Sequence, residues 1–153
     1  MTRSSIAETR ILASWQAYQD ALVQAVAPLS AEQMQRRPVA GQRTPGEVAE
    51  HIVFGRAFWL TQVLGEAAVG MGPLLSWDDP DDPPRTAAEV VQGLEITWRL
   101  LVATLMQGAA AGEVVEERVQ VLQTLWGLLD HDLPHAGELS ILLGVAGLPG
   151  VEI

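Results

Sequence analysis

Three histidines are the residues of this sequence best suited to chemistry at a metal ion. His131 and His135 stand four residues apart, and His51 lies far upstream. Because residues four apart share one face of a helix, the pair can bind a single ion. With His51 as a third ligand, the set describes an open, catalytic type of site with one position left for water or substrate. Imidazole suits Zn, Ni, Cu or Fe; the sequence leaves the identity of this divalent ion open, with Zn or Ni expected first.

Two carboxylates near the histidine pair are candidate catalytic residues. Asp132 falls within the apolar stripe of its helix, where a carboxylate is costly unless it is paired or hydrogen-bonded. The expected partner is Arg56, Arg99 or the free nitrogen of a metal-bound histidine. Glu138 falls beside the histidine pair on the flank of that stripe, where a helix borders a cleft. In an enzyme, Asp132 or Glu138 would orient a ligand or carry a proton.

Composition narrows the class of protein. A length of 153 residues predicts one domain over 1–153, and 48% hydrophobic residues argue against disorder. Without cysteine the chain has no disulfides or thiolate sites, and without lysine it has no Schiff-base chemistry. A net charge of −10 argues against nucleic-acid and anionic-membrane partners. Since neither a signal peptide nor a membrane span is predicted, we expect a cytoplasmic protein. The open position at the metal leads us to expect a small-molecule substrate.

The apolar periodicity predicts an all-α protein, a four-helix bundle. A proline, Pro28, ends the first helix, and Thr44, Pro45 and Glu47 form a strong start for the second. The predicted helices cover about residues 5–27, 44–65 and 86–108, and a fourth begins between 113 and 120 and ends near 145.

The connection over residues 66–85 is rich in Gly, Pro and Asp. It is long enough to travel the length of a bundle, so the second and third helices can run parallel. Four of its carboxylates raise the alternative of a calcium site, but their spacing is not that of an EF-hand loop. We therefore interpret this segment as a solvated linker.

The first and third helices carry apolar residues on more than one stripe. Ile6 and Ala13 add a second apolar side to the first helix, and Val91 and Val102 do so for the third. A helix that is apolar over most of its circumference must be covered on more than one side. We therefore predict a homodimer, with the metal site inside each chain.

Two segments carry a resemblance to a known family. Thr44-Pro-Gly-Glu-Val-Ala-Glu-His51 resembles the start of the second helix of DinB-like (DinB/YfiT) proteins, and His131-Asp-Leu-Pro-His135-Ala-Gly-Glu-Leu resembles their last helix. The resemblance extends over about residues 5–150. It implies an up-down-down-up four-helix bundle, a divalent metal on His51, His131 and His135, and frequent homodimers. Characterised relatives include metal-dependent S-transferases for low-molecular-weight thiols and thiol-dependent isomerases.

The sequence departs from the family pattern at four positions of the last helix. Pro134 stands where a histidine is frequent, Glu138 where glutamine is usual, and Ala136 and Gly144 where arginines are common. The missing basic groups weaken the expectation of an anionic thiol bound in the family's manner. We predict a metal-dependent transferase, hydrolase or isomerase; the alternative is a non-catalytic metal-binding or stress-related interaction protein. A zincin protease is disfavoured, because that motif normally has Glu as its base and a third ligand downstream.

Overall fold

The computed structural model describes residues 3–110 and 115–152, and side chains within them except over 3–9, 107–122 and 124–125. This part of the chain is helical and contains no strand, which confirms the all-α prediction. Five helices follow one another: α1 (Arg3–Val26), α2 (Ala31–Gln35), α3 (Pro45–Leu64), α4 (Ala87–Ala110) and α5 (Val115–Val145). Short 3₁₀ turns occupy Gly65–Ala67 and Gly72–Leu74 within the connection between α3 and α4.

Capping boxes fix the beginnings of the two helices that flank the long connection. At α3 the Thr44 side chain accepts the Glu47 N–H at 3.1 Å, and Glu47 accepts the Thr44 N–H at 2.6 Å. At α4 the Thr86 side chain accepts the Glu89 N–H at 3.2 Å, and Glu89 accepts the Thr86 N–H at 2.8 Å. Each box satisfies backbone donors that a helix start leaves unpaired. The start of α3 is therefore held in place about two turns before His51.

Helix α3 packs against both α4 and α5, and α1 packs against α4. Aliphatic side chains with at most 2% exposure fill the space between them, including Leu22, Ile52, Leu60, Leu94, Leu101, Leu139 and Leu143. Burying each such leucine contributes about 1.5–3 kcal/mol. The seam between α3 and α5 is therefore a fixed frame for polar side chains that project from either helix.

Some large apolar side chains lie outside the core. Phe58 is 43% exposed, because it stands six residues after the buried Ile52 and so falls off that helical stripe. Ile11 is 55% exposed and lines an apolar groove between α1 and α5. Of the four residues that predicted a second apolar side, Ala13 is exposed, Val91 and Val102 are half-buried, and Ile6 lies outside the described side chains. No helix in the described residues is both long and apolar enough to cross a membrane.

Candidate metal centre

The seam between α3 and α5 brings the three histidines together. His51 comes from the second turn of α3, and His131 and His135 come from successive turns of α5. Their ligand atoms all lie within 4.8 Å of one another, and the ring centroids are 4.5–5.0 Å apart. The three side chains keep 19–22% exposure, so the cluster lies at the surface end of the seam and is open to solvent.

Each imidazole turns its Nδ1 atom toward a carboxylate. The distances are 2.7 Å from His51 to Asp78, 3.2 Å from His135 to Glu138 and 3.6 Å from His131 to Asp132. A carboxylate beside Nδ1 stabilises the tautomer that carries its proton there and leaves the Nε2 lone pair free. At His51 and His131 this arrangement favours metal binding through Nε2, whereas at His135 the Arg43 guanidinium also lies against Nδ1, at 3.0 Å.

The facing nitrogens have the separation that a bound ion requires. His131 Nε2 lies 3.2 Å from His51 Nε2. Two nitrogens each about 2.0–2.1 Å from a tetrahedral ion lie about 3.3 Å apart, so the observed spacing fits. Without a cation or a proton between them, two lone pairs would oppose each other at this distance. The residues present therefore fit a divalent ion.

A glycine on α3 makes room for the His131 ring. A Cβ atom on Gly55 would lie 2.6 Å from His131 Nδ1 and 2.8 Å from Nε2, which is closer than atoms can approach. Any larger residue would push the ring away from His51. Sequence reasoning did not select Gly55, although a glycine one turn after His51 in a helix, where it costs stability, was an available signal.

Glu138 is held in place by Arg43. Among the described side chains, Arg43 is the only arginine that contacts one of the three histidines. Arg43 donates to both Glu138 oxygens, at 3.1 and 2.6 Å, and its Nη2 lies 3.0 Å from His135 Nδ1. Burial alone would raise the pKa of Glu138, but hydrogen bonds from Arg43 and His135 lower it overall. Burial lowers the pKa of His135; the hydrogen bond with Glu138 opposes this shift, and the other two histidines and Arg43 add to it. A charged carboxylate therefore faces a neutral imidazole, the form that binds metals.

The long connection contributes Asp78, which sequence reasoning missed. The segment that was expected to be a solvated linker is docked on α3 and α4. Trp77 packs in the space left by Gly93, where a Cβ would lie 2.8 Å from the indole ring. Glu50 of α3 accepts the Arg85 N–H at 3.1 Å. These contacts place Asp78 on His51, and the Trp-Asp-Asp-Pro run was the available signal.

Asp132 belongs to a fully buried polar network behind the histidines. It has 0% exposure, and its Oδ2 accepts Arg56 Nε at 2.6 Å. Arg56 also donates to Gln19 at 2.6 Å, and Tyr18 donates its hydroxyl to the Asp132 carbonyl at 3.2 Å. Of the three partners expected from the sequence, Arg56 holds the carboxylate and His131 lies near it. Arg99 is exposed and donates to its own helix at Glu95.

Two buried atoms without hydrogen-bond partners link this network to the histidines. They are Asp132 Oδ1 and His131 Nδ1, which lie 3.6 Å apart. A small rotation of the imidazole would bring its Nδ1–H within hydrogen-bond distance. Asp132 is thereby suited to orient His131, while Arg56 keeps the carboxylate in place.

The family follows from a comparison with known proteins. The model of the DinB superfamily matches residues 14–139, which include all three histidines, Asp78, Asp132 and Glu138. The chain belongs to the DinB superfamily. No curated protein and no solved structure shows significant similarity to it. In this DinB-superfamily chain, Pro134 is accommodated inside a continuous α5 and Ala136 is 3% exposed in the core.

Proposed function

We propose that the chain holds one divalent metal ion on His51, His131 and His135 and acts as a metal-dependent enzyme. The convergence of three imidazoles within 4.8 Å, on the open end of a rigid seam, carries this proposal. Membership of the DinB superfamily supports it. The proposed substrate is a small molecule of the low-molecular-weight thiol class, and the proposed activity is a transferase or hydrolase reaction.

The ion would lower the pKa of a bound water or deprotonate a coordinated thiol. The protein contributes first through the carboxylates beside the Nδ1 atoms of the histidines. These carboxylates fix the orientation of the rings toward the proposed ion. Glu138 is the proposed proton acceptor, because it is charged, 28% exposed and adjacent to His135. Full burial of Asp132 supports a positioning role for it through His131, and proton transfer is assigned to Glu138.

The alternative is a metal-binding protein without catalysis. Such a closed site requires a fourth protein ligand. The cluster found among the described residues contains three histidines and no fourth ligand, which favours the enzyme.

Metal analysis of the purified protein tests the proposal. We expect close to one divalent ion per chain, and loss of that ion in the variant His131→Ala/His135→Ala, since two of three ligands disappear. The control Asp130→Asn, an exposed neighbour on α5, should keep the ion. Stoichiometric metal in the double variant would rule out this site. Metal-loaded protein that retains one ion but transfers no thiol to simple electrophiles would favour the non-catalytic alternative.

We also propose the architecture and association that the sequence suggested. The contacts of Arg43 with Glu138 and of Trp59 near Gly127 support an antiparallel α3 and α5. The contact of Glu50 with Arg85 and the proximity of Val53 to Gly93 support a parallel arrangement of α3 and α4, as in an up-down-down-up bundle. A single domain, a cytoplasmic location and a homodimer complete the proposal, and sedimentation at tens of micromolar protein would distinguish the dimer from a monomer.

A further inference from the structure

A cavity of about 470 Å³ lies beside the histidine cluster. It is bounded by residues 35–43, the start of α3 and the connection from Trp77 to Pro84. Two lining residues touch the histidines themselves: Arg43 at His135 and Asp78 at His51. A volume of this size accommodates a small molecule. A substrate whose reactive group lies at the histidines would therefore place its remaining atoms here.

The charges that line this cavity do not balance. Five carboxylates and two arginines contribute to its wall: Glu47, Glu50, Asp78, Asp79 and Asp82 against Arg37 and Arg43. Both arginines are already engaged, Arg37 with Glu47 at 2.9 Å and Arg43 with Glu138 at 2.6 Å. Arg85, next to the wall, is likewise bound to Asp82 at 2.6 Å.

Of the remaining wall carboxylates, Asp78 lies against His51. No guanidinium group among the described side chains is bound to Glu50 or Asp79. Asp79 accepts the backbone N–H of Asp81, and Glu50 accepts that of Arg85. Among the side chains that the structure describes, no arginine is left to bind the carboxylate of an incoming substrate in this cavity. A carboxylate tail would meet repulsion, whereas an ammonium group would meet attraction.

We propose that the cavity selects substrates that carry an amine and rejects those that carry a carboxylate, so that the substrate class is a small aminothiol. This inference rests on the proposed function, because the histidine cluster supplies the anchoring point for the sulfur. The carboxylate-rich wall supplies the selectivity.

Two matched thiols and the cobalt-loaded protein test the inference. Cysteamine carries an ammonium group and 3-mercaptopropionate a carboxylate, and each thiolate bound to Co²⁺ gives a charge-transfer absorption that reports its dissociation constant. We expect cysteamine to bind more tightly at low salt. Because the two thiols also differ in acidity, the decisive quantity is the change in the ratio of their dissociation constants between protein variants.

The variant Glu50→Gln/Asp79→Asn removes two negative charges from the wall while keeping the hydrogen-bond acceptors for the backbone N–H groups of Arg85 and Asp81. We expect the preference for cysteamine to fall by about three- to tenfold, the size of two partly screened charge interactions. The control Asp20→Asn/Glu95→Gln removes the same charge from a separate groove between α1 and α4 and should leave the ratio unchanged. Asp79→Asn alone provides a milder variant if the double one folds poorly.

The outcomes separate the two proposals. Binding of both thiols with a ratio that the wall variants do not change, or with 3-mercaptopropionate preferred, would overturn the amine selectivity and leave the metal site intact. Absence of a charge-transfer band with either thiol, in protein that holds one Co²⁺, would overturn the open coordination position and the selectivity that depends on it.

Discussion

His131 and Asp132 are neighbours on α5, yet they belong to two polar clusters with opposite properties. The outer cluster of His51, His131 and His135 is about one-fifth exposed. Among the described side chains, the Nε2 atoms of His51 and His131 have no hydrogen-bond partner other than each other. The inner network around Asp132 and Arg56 has at most 5% side-chain exposure, and most of its polar atoms are paired within the protein.

The two clusters show that polar side chains on the same helices can serve either the fold or a ligand. A buried ion pair contributes little net stability, but the loss of one partner is expensive. Exposed imidazoles with converging lone pairs can instead be satisfied by a ligand from solution. The inner network is therefore suited to hold α1, α3 and α5 in register, and the outer cluster to bind the ion. Changes to the two clusters should affect different measurements.

The largest expected effect comes from breaking the inner ion pair. Arg56→Met should lower the free energy of unfolding by about 3–5 kcal/mol, because Asp132 would remain buried without its cation. The double variant Arg56→Met/Asp132→Leu should recover most of this loss. Urea unfolding of the metal-free protein measures both. A loss below about 1 kcal/mol in the single variant would mean that water reaches Asp132 and that the network is not closed.

The next effect concerns the outer cluster. Gly55→Ala should weaken metal binding at least about 100-fold, because the new methyl group displaces the His131 ring. This effect is larger than the loss of a residue that only hydrogen-bonds to a metal ligand would cause. Gly137→Ala on α5 is the matched control, since a Cβ there meets nothing within 4 Å. Competition with a coloured chelator gives both affinities. Equal affinity in the two variants would show that His131 is not a ligand in the observed position.

A smaller effect on the same cluster should follow removal of the Asp78 carboxylate. Asp78→Asn should weaken metal binding about 10-fold, because the amide orients the His51 imidazole less strongly than the charged group does. Asp81→Asn is the control in the same connection, since Asp81 is exposed and does not contact a histidine. If Asp78→Asn binds metal as tightly as the control, the docked connection has no part in the site.

The two clusters also differ in how far the sequence predicted them. Spacing alone predicted that His131 and His135 share a face, because helical periodicity fixes which residues lie one turn apart. His51 entered as a third ligand from a facing helix, which the family resemblance also implied. Burial of Asp132 followed from its place in an apolar stripe, although choosing Arg56 over Arg99 required the packing of α3 on α5. For Asp78 the Trp-Asp-Asp-Pro run was a signal, but a connection without periodicity gives no rule for which histidine its side chains reach. The glycine one turn after His51 was likewise a signal, but its role became clear only once the His131 ring was placed against Gly55.

The smallest expected effect comes from Tyr18, at the edge of the inner network. Tyr18→Phe should cost about 1 kcal/mol at neutral pH, because only one hydrogen bond to the Asp132 carbonyl is lost. Its metal affinity should equal that of the parent protein, since Tyr18 belongs to the inner network alone. Urea unfolding and the chelator competition measure the two quantities. A variant that lost metal affinity would show that the two clusters are coupled.

The substitution Tyr18→Phe should also change how the free energy of unfolding depends on pH above pH 10.0. Burial, and then the charge of Asp132, raise the pKa of the Tyr18 phenol far above its ordinary value of 10.0. Above pH 10.0 the unfolded chain therefore releases this proton while the folded protein keeps it, and stability falls as pH rises, by up to about 1.4 kcal/mol per pH unit. Tyr18 is the single tyrosine in a sequence without lysine or cysteine, so no other side chain titrates between pH 9 and 11. Tyr18→Phe should abolish the slope. A parent protein without the slope would place the phenol in contact with water, and a slope that persists in Tyr18→Phe would assign it to another group.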